Sequence, residues 1–195
     1  MVLIAGETGF GKSLFLNNIA IQVWLQDNNP FEDPTSKGKN IIYFSLEMPY
    51  EDCFNRFISR LSGVPSRDIE NASLSSDDFQ KVKKCLQFIK KYNCKFTIVD
   101  ITDACANDIE AILIDAQEKY DAVFIDYIGI MKTNAPSEDQ DWLKQGIIAY
   151  ETRAIARKHS IPIFSAVQLN RKSNTKESSD NIGLSRLARS STIAT

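Results

Sequence analysis

The sequence has no run of about 18 consecutive apolar residues, the length a membrane-spanning helix needs. Its first apolar stretch, Met1 to Ala5, stops at Gly6 without the basic start or the length of a secretion signal. The chain is therefore read as soluble and cytoplasmic, with no membrane partner. An excess of one charge is also missing: 23 Lys and Arg face 25 Asp and Glu, a net charge of -2. That excludes a global basic field for gripping nucleic acid and leaves only local contacts. The four cysteines, Cys53, Cys85, Cys94 and Cys105, form neither a CxxC metal pair nor a secreted disulfide framework, and are read as reduced, mostly buried thiols. There is a single histidine, His159, at a predicted helix end where a cation suits the helix dipole, and it is read as structural. Glycine is scarce too, with 8 in 195 residues, yet three of them (Gly6, Gly9 and Gly11) share one short stretch.

What is present is enough apolar material for a core, 43% of residues, arranged as short β-branched or aromatic runs alternating with stretches of helical period. This is the signature of an α/β domain with a mostly parallel sheet flanked by helices. Strands are predicted at Val2 to Ala5, Ile41 to Ser45, Phe96 to Asp100, Ala122 to Asp126 and Ile161 to Val167, nearly all apolar, as a sheet covered on both faces requires. Helices are predicted at Ser13 to Gln26, Tyr50 to Leu61, Asp77 to Tyr92, Asn107 to Tyr120 and Asp141 to His159. Three segments are poor in apolar residues: Asp27 to Lys39 reads as a spacer, whereas Thr133 to Asp141 and Arg171 to Gly183 follow strand ends, where α/β sheets carry function.

The strongest chemical signal is GETGFGKS, comprising Gly6, Glu7, Thr8, Gly9, Phe10, Gly11, Lys12 and Ser13, directly after the first strand and opening a helix. It is the G-x4-G-K-[ST] phosphate loop in its required context. Successive N–H groups must converge on a β-phosphate, which needs glycine torsions and no side chain in the way, and the helix amino end adds favourable charge. Lys12 is placed to neutralise the β and γ phosphates and Ser13 to bind Mg2+, which makes ATP with Mg2+ the expected cofactor.

Such a loop needs a second carboxylate to hold the magnesium water shell, usually an Asp ending an apolar strand. Two strands qualify by pattern, FTIVD ending at Asp100 and AVFID ending at Asp126. Hydrolysis also needs a base or water-positioning group. Glu47, after the strand IIYFS, and Gln168, after IPIFSAV, both emerge at strand ends where such groups stand.

Four segments in order, GETGFGKS, SLEM (Ser45 to Met48), IDYIGIM (Ile125 to Met131) and QLNR (Gln168 to Arg171), resemble the RecA-like motor domain of DnaB-type replicative helicases, phage members included. The resemblance spans nearly the whole chain. It implies a RecA-like P-loop NTPase fold, with Glu47 in the catalytic-base position, Asp126 in the magnesium-shell position and Gln168 in the γ-phosphate sensor position; Asp100 becomes the lesser rival. It also implies a homohexameric ring around single-stranded DNA, with primase and a helicase loader as possible partners. The channel-facing loops would correspond to Met131–Asp141 and to Arg171 through about Ser191. The second carries Arg171, Lys172, Lys176, Arg186 and Arg189 against Glu177 and Asp180, a local net charge of +3 in a chain whose total is -2. Where the family commonly has Arg and then Glu, this chain has Ala188 and Arg189. The expected domain organisation is one RecA-like ATPase domain over residues 1–195, a part of a longer protein that carries its N-terminal domain, arginine finger and last strands elsewhere.

Other function classes are weaker on the residues. A RecA-like recombinase or regulatory ATPase is disfavoured by SLEM followed by IDY and QLNR. A small-molecule kinase would need an arginine-bearing lid, and a nucleotide-binding module without hydrolysis would not need Lys12, Glu47 and Asp126 together. Arg153 and Arg157, four apart on one helix, read as a solvated face, and Trp24 and Trp142 as packing residues.

Overall fold

The computed structural model describes residues 1–26, 38–133 and 141–168. Among these residues five strands alternate with helices: β1 (Val2–Gly6), α1 (Lys12–Leu25), β2 (Ile41–Ser45), α2 (Tyr50–Ser62), α3 (Ser66–Glu70), α4 (Ser76–Lys91), β3 (Phe96–Asp100), α5 (Ala106–Asp115), β4 (Ala122–Asp126), α6 (Asp141–Lys158) and β5 (Ile163–Gln168). A single 3-10 turn, Ile128–Ile130, follows β4. The strands lie in the order β1-β5-β4-β2-β3 and every pairing is parallel. All five carboxyl ends therefore fall on one edge of the sheet, the edge where parallel α/β sheets hold their ligands.

The period of two along each strand divides the core. Ile41 and Tyr43 of β2 and Ala122 and Phe124 of β4 face α1, α2 and α4, in one cluster with Leu16, Trp24, Phe57 and Phe88. Ile42 and Phe44, Val123 and Ile125 face α5 and α6, in a second cluster with Ile109, Ile148 and Ile155. β2 and β4 are buried throughout, whereas β1 and β3, at the two edges, are only partly covered. On the α1 side four aromatic rings run across the sheet: Phe96, Tyr43, Phe124 and Phe164 stack in succession with interplanar angles of 24°, 13° and 10°. Trp24, 1% exposed, closes the end of that row against Phe96 and Phe57 and donates its indole N–H to the Cys94 carbonyl at 2.9 Å.

The predicted elements are all present, with shifts at their ends. α5 stops at Asp115, five residues before the predicted Tyr120, because Ala116 turns to extended backbone; Tyr120 instead donates its hydroxyl to Thr97. The short α3, started by Pro65, is an addition to the predicted elements; five residues give too little periodicity to read. Cap chemistry follows expectation at α4, where Ser75 accepts from the Asp78 N–H, and at α5, where Cys105 and Asp108 form a reciprocal cap. All four cysteines are free, but only Cys53 and Cys85 are buried, so the expectation of mostly buried thiols holds for half of them. His159 follows α6 and makes a 2.7 Å hydrogen bond with Glu110 of α5. Among the described residues no helix is long and apolar enough to cross a membrane.

Candidate nucleotide site

The loop from Gly6 to Gly11 bridges the end of β1 and the start of α1. Gly9 and Gly11 adopt positive φ, 82° and 73°, a region that L side chains enter only at a cost, so glycine is required at both. Gly6 is closely approached instead: a Cβ there would stand 3.2 Å from Cγ of Lys12, so the lysine stem would have to shift by a few tenths of an ångström. The lysine stem lies against the bare Gly6 backbone, and its ammonium donates to the Glu7 carbonyl at 2.8 Å. α1 opens at Gly11 with no capping side chain and no acidic residue in its first turn, which leaves its N–H groups and dipole for an anion.

Opposite the loop stands Asp126. The alternation along β4 puts it on the same face as Phe124, toward α1, and it is only 2% exposed. Its Oδ1 accepts from the Ser13 hydroxyl and its Oδ2 from the Tyr43 hydroxyl, each at 3.0 Å. Burial pushes the Asp126 carboxyl up from its ordinary value; the two hydroxyl donors and the positive charges of Arg56 and Lys12 pull it back toward the ionised form. The Tyr43 phenol is held well above its usual range by burial and by the adjacent carboxylate.

Asp100, the rival read from the sequence, is elsewhere. It ends the edge strand β3, is exposed, and accepts from the Tyr50 N–H at the start of α2 at 3.0 Å. Glu47 is exposed in a turn that is fixed on both sides. The Ser45 hydroxyl donates to the Met48 carbonyl at 2.6 Å, and the Leu46 N–H donates to the Asp126 carbonyl at 2.9 Å. Cys53 of α2 donates to Ser45 at 3.1 Å and locks that hydroxyl in place. The charge of Glu47 reaches Tyr127, whose phenol is raised first by burial and then by Glu47 and Asp126. Gln168 ends β5 in register with Gly6, one strand from the start of the loop. After β4, Ser165 of β5 accepts from the Ile128 N–H at 3.1 Å and donates to the Ile125 carbonyl at 2.7 Å, which fastens the IDYIGIM segment to its neighbour strand.

The family model for the DnaB-like helicase C-terminal domain matches residues 1–195. The chain belongs to this family. Among its curated relatives are the replicative DNA helicase DnaB of Helicobacter pylori strain J99, 25% identical over 179 residues, and that of Rickettsia prowazekii, 25% identical over 199 residues. These alignments cover 91% and 99% of this chain but 34% and 39% of the relatives, so the chain spans little more than a third of their length. A solved ATPase domain has the same fold, with a TM-score of 0.80 at 22% identity over 99% of this chain and 65% of that one. So has a DnaB-like replicative helicase described together with its interactions with primase, with a TM-score of 0.72 at 22% identity over 88% of this chain and 39% of that one. The fold is that of a RecA-like P-loop NTPase.

In this DnaB-like domain, Gly6 through Ser13, Glu47, Asp126 and Gln168 all stand at one sheet edge. The basic residues Arg171, Lys172, Lys176, Arg186 and Arg189 lie outside the described residues, as do nearly all of the first loop and the side chain of Trp142. Two neighbours of Asp126 escape a reading of the sequence. Tyr43 reads as one more core residue in an apolar strand, and Arg56 as a surface residue of an amphipathic helix. The available signal for Tyr43 is its polar tip in a strand that is otherwise buried on both faces, since a buried phenol needs a partner.

Proposed function

We propose that this chain is the ATP-driven motor domain of a replicative DNA helicase, hydrolysing ATP with Mg2+ at the interfaces of a homohexameric ring and translocating on single-stranded DNA. The observation that carries the reading is the hydrogen bond between Ser13 and Asp126, which joins the phosphate loop to a buried strand-end carboxylate facing it. Both groups are hard oxygen donors suited to magnesium, and a Cβ at Gly9 or Gly11 would meet no other atom within 4 Å, so the loop's backbone is open there. Magnesium, when bound there, supplies charge neutralisation of the β and γ phosphates.

The division of labour follows from position. The N–H groups of Gly9 to Ser13 bind phosphate oxygens, and Lys12 exchanges its Glu7 carbonyl for phosphate. Ser13 and Asp126 hold the metal and its water. Glu47, exposed on a braced turn, accepts the proton of the attacking water, and Gln168, tied in register to Gly6, senses the γ phosphate. Arg171, Lys172, Lys176, Arg186 and Arg189 contact the DNA backbone, and binding should fall steeply with salt. The domain works within a longer protein, a reading that the share of the relatives' length supports. An arginine supplied by the neighbouring subunit can be worth about 10³ to 10⁵ in rate, so the 195-residue chain alone should turn over slowly. Primase and a loader are the expected partners, and the cytoplasm the expected location.

The test is nucleotide binding and turnover of the chain with and without single-stranded DNA. Lys12→Ala should remove most Mg-ATP affinity while leaving the fold intact, because in the protein Lys12 satisfies only a loop carbonyl. Unchanged affinity in that variant would remove the phosphate-loop assignment. Brisk, DNA-independent hydrolysis by a monomer would favour a self-contained ATPase, such as a RecA-like regulatory enzyme without unwinding activity.

A further inference from the structure

Asp126 is held from both sides, and only one of its donors belongs to the phosphate loop. The other is Tyr43, a residue of β2 with no place in the loop, the SLEM turn or the IDYIGIM segment. We propose that Tyr43 is a positioning residue for the magnesium shell: its hydroxyl, donated to Oδ2 of Asp126, fixes the plane of the carboxylate whose other oxygen meets Ser13. The inference rests on the nucleotide-site reading above and extends it to a residue outside the motifs.

Three observations support it. The phenol is placed with little freedom, because its ring is 1% exposed and stacked between Phe96 and Phe124 with centroids 6.3 Å away on either side. The two donors take different oxygens, Ser13 on Oδ1 and Tyr43 on Oδ2, so together they set the rotation of the carboxylate. Each oxygen keeps a second lone pair for a metal-bound water. The strand registers then tie the phenol to the site: Tyr43 pairs with Phe124 and Ser45 with Asp126, so ring and carboxylate are set two rungs apart, on one face of a single ladder. Groups that orient a metal-shell carboxylate in this way alter metal affinity when removed, usually by tenfold or more.

The experiment uses the full chain, its Tyr43→Phe variant, and both residues in an Asp126→Asn background. Tyr43→Phe deletes one oxygen and keeps the stacked ring. Binding of a fluorescent ATP analogue is titrated with Mg2+, alongside a melting curve of the nucleotide-free protein. The expected result is that Tyr43→Phe raises the Mg2+ concentration for half-maximal binding by about tenfold, with Mg2+-free binding unchanged. In the Asp126→Asn background, Phe and Tyr at position 43 should bind nucleotide equally, a comparison that stands even where the single variant folds poorly. A variant that melts earlier but keeps the parent's Mg2+ dependence has lost only a core hydrogen bond, and the proposal falls. A further drop on top of Asp126→Asn also overturns it, because Tyr43 would then act by another route. If the parent itself binds nucleotide equally with and without Mg2+, the nucleotide-site reading fails first and takes this inference with it.

Discussion

The Ser13 hydroxyl donates to Oδ1 of Asp126 at 3.0 Å, across 113 positions of sequence. No local preference brings these residues together. β4 must lie inside the sheet, α1 must cover the face that Phe124 occupies, and the strand must end in the phase that turns Asp126 toward the helix. Asp100 ends its strand in the corresponding phase, yet at the edge of the sheet it meets α2 instead.

The two aspartates therefore separate in a direct comparison. Asp126→Asn should abolish the Mg2+-dependent part of nucleotide affinity. Asp100→Asn should leave nucleotide binding unchanged and alter stability little, because the amide oxygen can still accept from the Tyr50 N–H. Calorimetric titration and melting curves on both variants check this; the opposite pattern would transfer the metal role to Asp100.

For Glu47 the expectation is a loss of rate without a loss of binding. Its turn is held by Ser45 and Leu46, and its own carboxylate is exposed, so Glu47→Gln disturbs no packing. Nucleotide affinity should stay within about twofold while single-turnover hydrolysis in the assembled protein falls by about 10² or more. Equal rates for the two forms would remove Glu47 from the base position.

Cys85 contributes to the loss of stability at alkaline pH. Burial pushes its thiol up to about 11 from an ordinary value of 9.0. A folded-state value above the unfolded one means that the contribution is fully present below pH 9 and is lost as pH rises toward 11. The melting temperature of the parent should therefore fall more steeply across that window than that of Cys85→Ala, whose cavity lowers the curve without changing its slope. Parallel curves would show that this thiol does not ionise on unfolding.

Much of this was legible in the letters. β2, β3 and β4 have their predicted bounds because each is a compact β-branched or aromatic run, and the phosphate loop is defined by spacing alone. What could not be read is lateral order. FTIVD and AVFID look alike as strings, and their difference lies in which strand is flanked on both sides. Tyr43 escaped for the same reason, since the partner of a buried hydroxyl is set by the neighbouring strand. Tertiary contact likewise overrode helical period at the end of α5, where Tyr120 leaves the helix to reach Thr97.

The pairing of Gly6 with Gln168 also has a mechanical meaning. β1 and β5 run parallel through five matched pairs, from Val2 opposite Phe164 to the phosphate loop itself. Residues 171–195, with their five proposed DNA contacts, are joined to β5 through only two intervening residues. A load applied to the end of β5 along its own axis would enter the sheet as shear, shared by the evenly spaced bonds of its parallel ladders instead of opening them one at a time. Past Ser165 the pairing of β5 is with β1, so the strand that ends in the phosphate loop lies nearest to such a load.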